Sequence, residues 1–126
     1  MRVFIVATKA VHRKVLFDRV EAMGHDVVGM ARALFEVERR MERLDPPDAF
    51  LTDHMLPDGF GSAIAEIVPS TPILAILPRR MELTEDERLL YAGVIQRPFD
   101  PMTLMASLEA MSLWTETGSD HNFGDS

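Results

Sequence analysis

Apolar and polar positions change period repeatedly along this chain, and the changes mark its elements. Arg2 to Ala7 carries a short apolar, largely β-branched run, the pattern of a strand buried on both faces. From Lys9 to Met23 the apolar residues Val11, Val15, Leu16, Val20 and Met23 recur at helical spacing, and Gly24 supplies a C-terminal stop. His25 to Met30, with Val27 and Val28 at its centre, predicts a second strand. Ala33 to Leu44 places Leu34, Val37, Met41 and Leu44 on one helical face, with Glu and Arg opposite, and Pro46 and Pro47 end it. Ala49 to Thr52 is a third strand that runs directly into Asp53.

Beyond a turn rich in Pro, Asp and Gly, residues Gly61 to Val68 have a short helical pattern and Ile73 to Leu77 a fourth strand. Thr84 to Leu90 predicts a brief helix, with Thr84 and Glu87 spaced as a capping box. Val94 and Ile95 form a last strand, broken by Pro98, and Pro101 opens a final helix to Trp114. The remainder, Glu116 to Ser126, is rich in Gly, Ser, Asp and Asn and reads as a flexible tail or the start of a linker. The domain organisation expected is therefore one unit over residues 1–115, followed by 116–126.

Strands alternating with helices in so short a chain imply an α/β fold, a five-stranded parallel sheet with helices on both faces. Sites in such sheets gather beyond the carboxyl ends of the strands. That rule puts Ala7, Thr8, Asp53, Leu77 and Arg97 on one rim. The chain of 126 residues holds one core comfortably. A net charge of -7 argues against direct nucleic-acid binding, because the arginine clusters Arg39, Arg40, Arg43 and Arg79, Arg80 are short and flanked by acids. Cysteine is absent, which fits a reducing compartment, and the N-terminal apolar run is too short for a membrane span, so a cytoplasmic protein is expected. Four scattered histidines make no zinc set, His54 reads as a partly buried loop residue, and no nucleophile and base converge as an enzyme would need.

The stretch Leu51 to Gly61, "LTDHMLPDGFG", resembles the phosphoacceptor strand and following turn of bacterial two-component response-regulator receiver domains. Arg97 to Pro101, "RPFDP", is similar to that family's Lys-Pro-Phe motif, and Gly24-His25 after the first helix is also typical. The resemblance runs from Met1 to about Trp114 and implies the flavodoxin-like (βα)5 receiver fold, with Asp53 at the acceptor position. It also implies departures. Ala7 and Thr8 stand where the family's metal-binding acidic pair is placed, Leu77 where a hydroxyl residue closes on the phosphoryl group, Arg97 at the lysine, and Val94 at the switch aromatic. A magnesium site with one carboxylate and a neutral partner is expected to be weak or absent, and no other cofactor is implied. Arg97 is instead expected to pair with Asp53 through two hydrogen bonds.

Two functions stay open on these residues. One is an atypical receiver that acts mainly by phosphorylation-independent protein–protein interaction. The other is a receiver phosphorylated on Asp53 by a histidine kinase or phosphotransfer protein, regulating an output domain beyond residue 126. In the family, the surface of the fourth helix, fifth strand and fifth helix commonly binds partners. The last helix has more apolar circumference than one sheet face usually covers, so Met102, Leu104, Met105, Leu108, Met111 and Trp114 are the expected interface. Its partner would be a histidine kinase, a phosphotransfer protein, another regulator, or a second copy in a homodimer. The competing reading is that these methionines and leucines fill the core.

Overall fold

The computed structural model describes residues 1–124, with side chains described as far as Leu113. Strands β1 (Arg2–Val6), β2 (Asp26–Ala31), β3 (Ala49–Asp53), β6 (Ile73–Leu77) and β7 (Gly93–Gln96) form one parallel sheet in the order β2-β1-β3-β6-β7. A small antiparallel hairpin, β4 (Met55–Leu56) with β5 (Gly59–Phe60), follows β3. Between the strands run α1 (Ala10–Ala22), α2 (Leu34–Met41), α3 (Ile64–Ile67) after a 3₁₀ turn, and α4 (Glu85–Arg88), and α5 (Pro101–Gly124) closes the chain. No helix among the described residues is long and apolar enough to cross a membrane.

The unbroken apolar run of β1 has a direct structural cause. Successive strand side chains point to opposite faces, so Val3 and Ile5 join one core layer and Phe4 and Val6 the other. The first layer lies under α1 and α5, where Leu16, Val20, Leu104, Leu108 and Met111 meet Leu51, Leu74, Ile76 and Ile95. The second contains Val37, Phe50, Ile64, Val68, Ile73 and Tyr91. Both faces of the central strands are covered, which is why the pattern there is continuous rather than alternating.

Three local features differ from the sequence pattern. In α1 the core-facing residues are Leu16 and Val20, whereas Val11 and Val15 are 64% and 43% exposed. Regular spacing identified the helix but not which side of the apolar set turns inward. The backbone of α5 stays helical to Gly124, past Trp114 where the pattern ended it and through most of the segment expected as a tail. A helix already nucleated gains one hydrogen bond per added residue, and no proline follows Pro101 to stop it. The fourth helix shrinks to a single turn, held by the Thr84–Glu87 capping box in both directions.

The hairpin turn also holds α2. Ala33, the N-cap of α2, contributes no side-chain cap; the Asp58 carboxylate accepts from the Leu34 and Phe35 N–H groups at 2.9 and 3.0 Å instead. Partial desolvation is the largest single influence on this carboxyl and raises its pKa. The backbone hydrogen bonds together outweigh it and hold the group below its ordinary value. Asp58→Ala is expected to destabilise the fold by about 1 kcal/mol, the usual cost of a lost cap. Because the folded pKa is depressed, that contribution is present above the ordinary carboxylate pKa and is lost as pH falls through the folded value. Urea titrations of both proteins at neutral pH and at successively lower pH check it: the difference should be present in the first and shrink as the carboxyl protonates in the folded state.

Candidate functional site

The rim beyond the carboxyl ends of β1, β3, β6 and β7 brings Thr8, Asp53 and Arg97 together. Asp53 ends β3, and its side chain is 15% exposed. One carboxylate oxygen accepts from the Thr8 N–H at 3.1 Å, and the other faces Arg97 Nη2 at 3.4 Å. The arginine thus meets the carboxylate through one nitrogen, not through the two-bond fork expected from its chemistry; its guanidinium also lies 5.6 Å from the Phe99 ring centre. A cation–π contact with Phe99 and a single-nitrogen contact with Asp53 thus engage the guanidinium together.

Ala7 is wholly buried and offers no side-chain donor. The carbonyls of Ala7 and Thr8 both accept from Arg13 Nη1, at 2.8 and 2.9 Å. Where the family resemblance places an acidic pair, this chain therefore has a second guanidinium clamping the backbone. Among the residues described on this rim Asp53 is the one carboxylate, and it faces a guanidinium. Among the described residues no group of three His, Cys, Asp or Glu side chains is placed to hold a metal ion. Arg13 was not singled out from the sequence. Its one signal is its place one turn into the helix that follows β1.

A cleft of about 310 Å³ opens over this rim, with Lys9, His12, Asp53, Arg79 and Arg97 among its walls. Burial, then the nearby Arg97 and Lys9, pushes the His12 pKa below its ordinary value against the opposing pull of Asp53. Arg80 is exposed beside Arg79 and adopts a positive φ of 65°. Leu77 is buried at the end of β6, and Val94 on β7 is half-buried. At Gly61 a Cβ would lie 2.7 Å from the Asp53 carbonyl, so the chain passes close to the end of β3 only because position 61 lacks a side chain.

His54 lies in the bend between β3 and β4, the loop position expected, but it is fully rather than partly buried. It is 3% exposed, its N–H donates to the Ile76 carbonyl and its own carbonyl accepts from Gly61, both at 2.8 Å. The ring stacks on Phe60 with centroids 4.9 Å apart, its Nδ1 pairs with the Tyr91 hydroxyl, and its Nε2 lies 3.9 Å from a Glu87 carboxylate oxygen. Burial lowers the His54 pKa, and Glu87 partly offsets this. Both ring nitrogens thus face the α4 end of the molecule, away from any proton transfer with Asp53. No local pattern signals this arrangement, since Tyr91 lies 37 positions further along the chain.

The expected interface on α5 divides. Leu104, Leu108 and Met111 are at most 4% exposed and belong to the core beneath the sheet, so they are not surface residues. A helix lying along a twisted sheet buries a broad stripe, and these three occupy it. Met102 is 69% exposed and Met105 is partly exposed, while the Trp114 side chain lies outside the described residues. Leu89 and Leu90 are exposed just after α4, and a groove of about 480 Å³ runs between β7 and α5 past Val94, Ala110 and Met111. Among the described residues, strand β7 is an edge of the sheet.

No protein-family model matches the chain, and no curated protein matches it. Solved structures do. The N-terminal domain of a response regulator/sensory box/GGDEF three-domain protein from Carboxydothermus hydrogenoformans superposes with a TM-score of 0.81 at 15% identity, covering 94% of this chain and 99% of that one. The signal receiver domain of a modulated diguanylate cyclase from Desulfovibrio desulfuricans G20 gives 0.76 at 24% identity, with 93% and 97% covered. The anti-anti-sigma factor PhyR from Bartonella quintana gives 0.75 at 23% identity, covering 96% of this chain but 51% of its own. The chain thus has the flavodoxin-like (βα)5 fold of receiver domains.

Proposed function

We propose that this chain is an atypical receiver: a non-enzymatic, cytoplasmic signalling domain that acts by protein–protein contact without phosphorylation of Asp53. The observation that carries the proposal is the state of the acceptor carboxylate. Asp53 is held between the Thr8 N–H and Arg97, while Arg13 clamps the backbone where metal-binding acids would stand. Phosphoryl transfer to a carboxylate needs cationic charge that neutralises the incoming phosphate and yet leaves the nucleophile free. Here the nearest cation is spent on the nucleophile itself. Magnesium binding is accordingly weak or absent, and the Asp53–Arg97 contact locks one conformation of the rim.

The output surface in this reading is the α4-β7-α5 face, reduced to the residues that reach it: Leu89, Leu90, Met102, Met105 and the groove beside Val94. Its partner is a histidine kinase, a phosphotransfer protein, another regulator or a second copy of the domain. The net charge of -7 makes direct nucleic-acid contact the poorer fit.

Titration with magnesium, with and without beryllofluoride, followed through backbone amide shifts at Thr8, Asp53 and Arg97, tests the proposal. The rim is expected to stay silent in a well-dispersed spectrum. Saturable shifts that need both additions and spread into α5 would overturn it in favour of a receiver phosphorylated on Asp53. Magnesium-dependent labelling by a small phosphodonor, abolished in Asp53→Asn, would do the same.

A further inference from the structure

His54 meets α4 and the residues after it through contacts whose protons can be placed. Its Nδ1 pairs with the Tyr91 hydroxyl, and its Nε2 lies 3.9 Å from Oε2 of Glu87. Ser62, in the 3₁₀ turn after β5, directs its backbone N–H and its hydroxyl at the same Tyr91 oxygen. A phenol carries one proton. With Ser62 donating to the oxygen, that proton goes to Nδ1, which must then be bare, so the imidazole is neutral and its hydrogen sits on Nε2, on the side of Glu87. These contacts span a short element. Glu87 Oε1 closes the capping box on Thr84 at the start of α4 while Oε2 faces His54, and Tyr91 follows the helix with its N–H on the Arg88 carbonyl. Leu89 and Leu90 are 82% and 56% exposed, so Tyr91, at 8%, is the residue that ties this end inward. A single helical turn has few hydrogen bonds of its own and opens at low cost.

We infer that His54 and Tyr91 form a proton-operated latch on α4, closed while the imidazole is neutral and opened on its Tyr91 side when the ring takes up a proton. An imidazolium donates from both nitrogens. Nδ1–H and the Tyr91 O–H then point at one another, and the phenol can keep the contact only by turning its proton toward Ser62, against the donors already there. On the other side the same proton strengthens the attraction to Glu87, which stays ionised because hydrogen bonds from Thr84, the backbone one foremost, hold its pKa below the ordinary value. Protonation therefore retains the start of α4 and releases its end. Leu89 and Leu90 move with Tyr91, while Ala92, bonded to the Ile73 carbonyl, stays on the sheet. Among the described residues Glu87 is the one charged group that faces the ring: Phe60 stacks on it, β6 meets His54 through the Ile76 carbonyl, and the neighbouring Asp53 carboxylate is turned to Thr8 and Arg97. The latch needs neither phosphate nor partner; only its effect on contacts made by Leu89 and Leu90 rests on the output surface proposed above.

The whole chain, isotopically labelled, is taken from about pH 8 to about pH 5 while the histidine ring nitrogens, the backbone amides and their hydrogen exchange are followed. The expected result is a bare Nδ1 on His54 at the start. Below about pH 6.5 the amides of Leu89, Leu90 and Tyr91 should then move with the His54 ring and not with the separately resolved rings of His12 and His25. Their protection, corrected for intrinsic exchange, should fall by up to about tenfold per pH unit while β1 and β3 stay protected. Tyr91→Phe keeps the aromatic ring and removes only the hydroxyl; His54 should titrate at higher pH in it, and the amides after α4 should no longer follow. Glu87→Gln should shift the ring and the amides together to lower pH. A hydrogen on Nδ1 of neutral His54, amides after α4 that stay still while the ring titrates, coupling unchanged in Tyr91→Phe, or protection lost there only together with β1 and β3 would each overturn the latch. The reading of Asp53 is decided by the magnesium and beryllofluoride titration instead, so the two fail separately.

Discussion

Leu108→Ala is expected to destabilise the domain by about 2–5 kcal/mol, and Met102→Ala on the same helix by less than about 0.5 kcal/mol. Leu108 is wholly buried and packs in the layer formed by Leu51, Leu74, Ile76 and Ile95, so truncation removes transfer energy and leaves a cavity in a close-packed interior. Met102 is 69% exposed and loses little of either kind. Urea unfolding separates the two through the midpoint at constant slope. A small effect at Leu108 would mean that the buried stripe of α5 is not seated on the sheet as described. The outcome also decides how the proposed partner face is tested. A binding defect in a Leu104 or Leu108 variant reports unfolding, whereas one in Met102 or Leu89 variants with unchanged stability reports contact.

What the sequence disclosed follows the range of the interactions involved. The strands were legible because a sheet covered on both faces demands continuous apolar runs, and β1 and β6 consist of them. The meeting of Thr8, Asp53 and Arg97 was legible as well, because strand ends in a parallel sheet share one rim whatever the side chains. Facing was less legible. Val11 and Val15 fit the same helical period as Leu16 and Val20, and only the position of the sheet turned one pair outward. The same ambiguity made Leu104 and Leu108 look like surplus surface. Least legible were contacts between distant segments: Asp58 capping α2, Arg13 folding back on Ala7, and the His54–Tyr91 pair. Each depends on loop placement that no local pattern encodes.

The buried histidine that follows β3 should make the fold sensitive to acid well above the carboxylate range. Burial lowers the folded-state pKa of His54, so as pH falls through about 6.5 the unfolded chain takes up a proton that the folded chain refuses. Stability is then lost progressively from that pH down to the folded pKa. His12 and His25 are shifted in the same direction, chiefly by burial, so the wild-type slope is a sum and the His54 share must be isolated. The groups facing the ring are Phe60, the Tyr91 hydroxyl and Glu87, of which Glu87 alone carries charge at neutral pH. His54→Phe keeps the stack on Phe60, removes the titrating group and deprives the Tyr91 hydroxyl of its histidine partner. It is expected to cost about 1–3 kcal/mol at pH 7.5, with a flatter decline of stability between pH 7 and 5 than in the wild type. Glu87→Gln, which keeps an oxygen for the capping box, should steepen the decline because it removes the one charge that favours protonated His54. Urea midpoints at several pH values measure both. Parallel pH profiles for wild type and His54→Phe would place the acid sensitivity in His12 and His25 and leave the buried ring with a packing role alone.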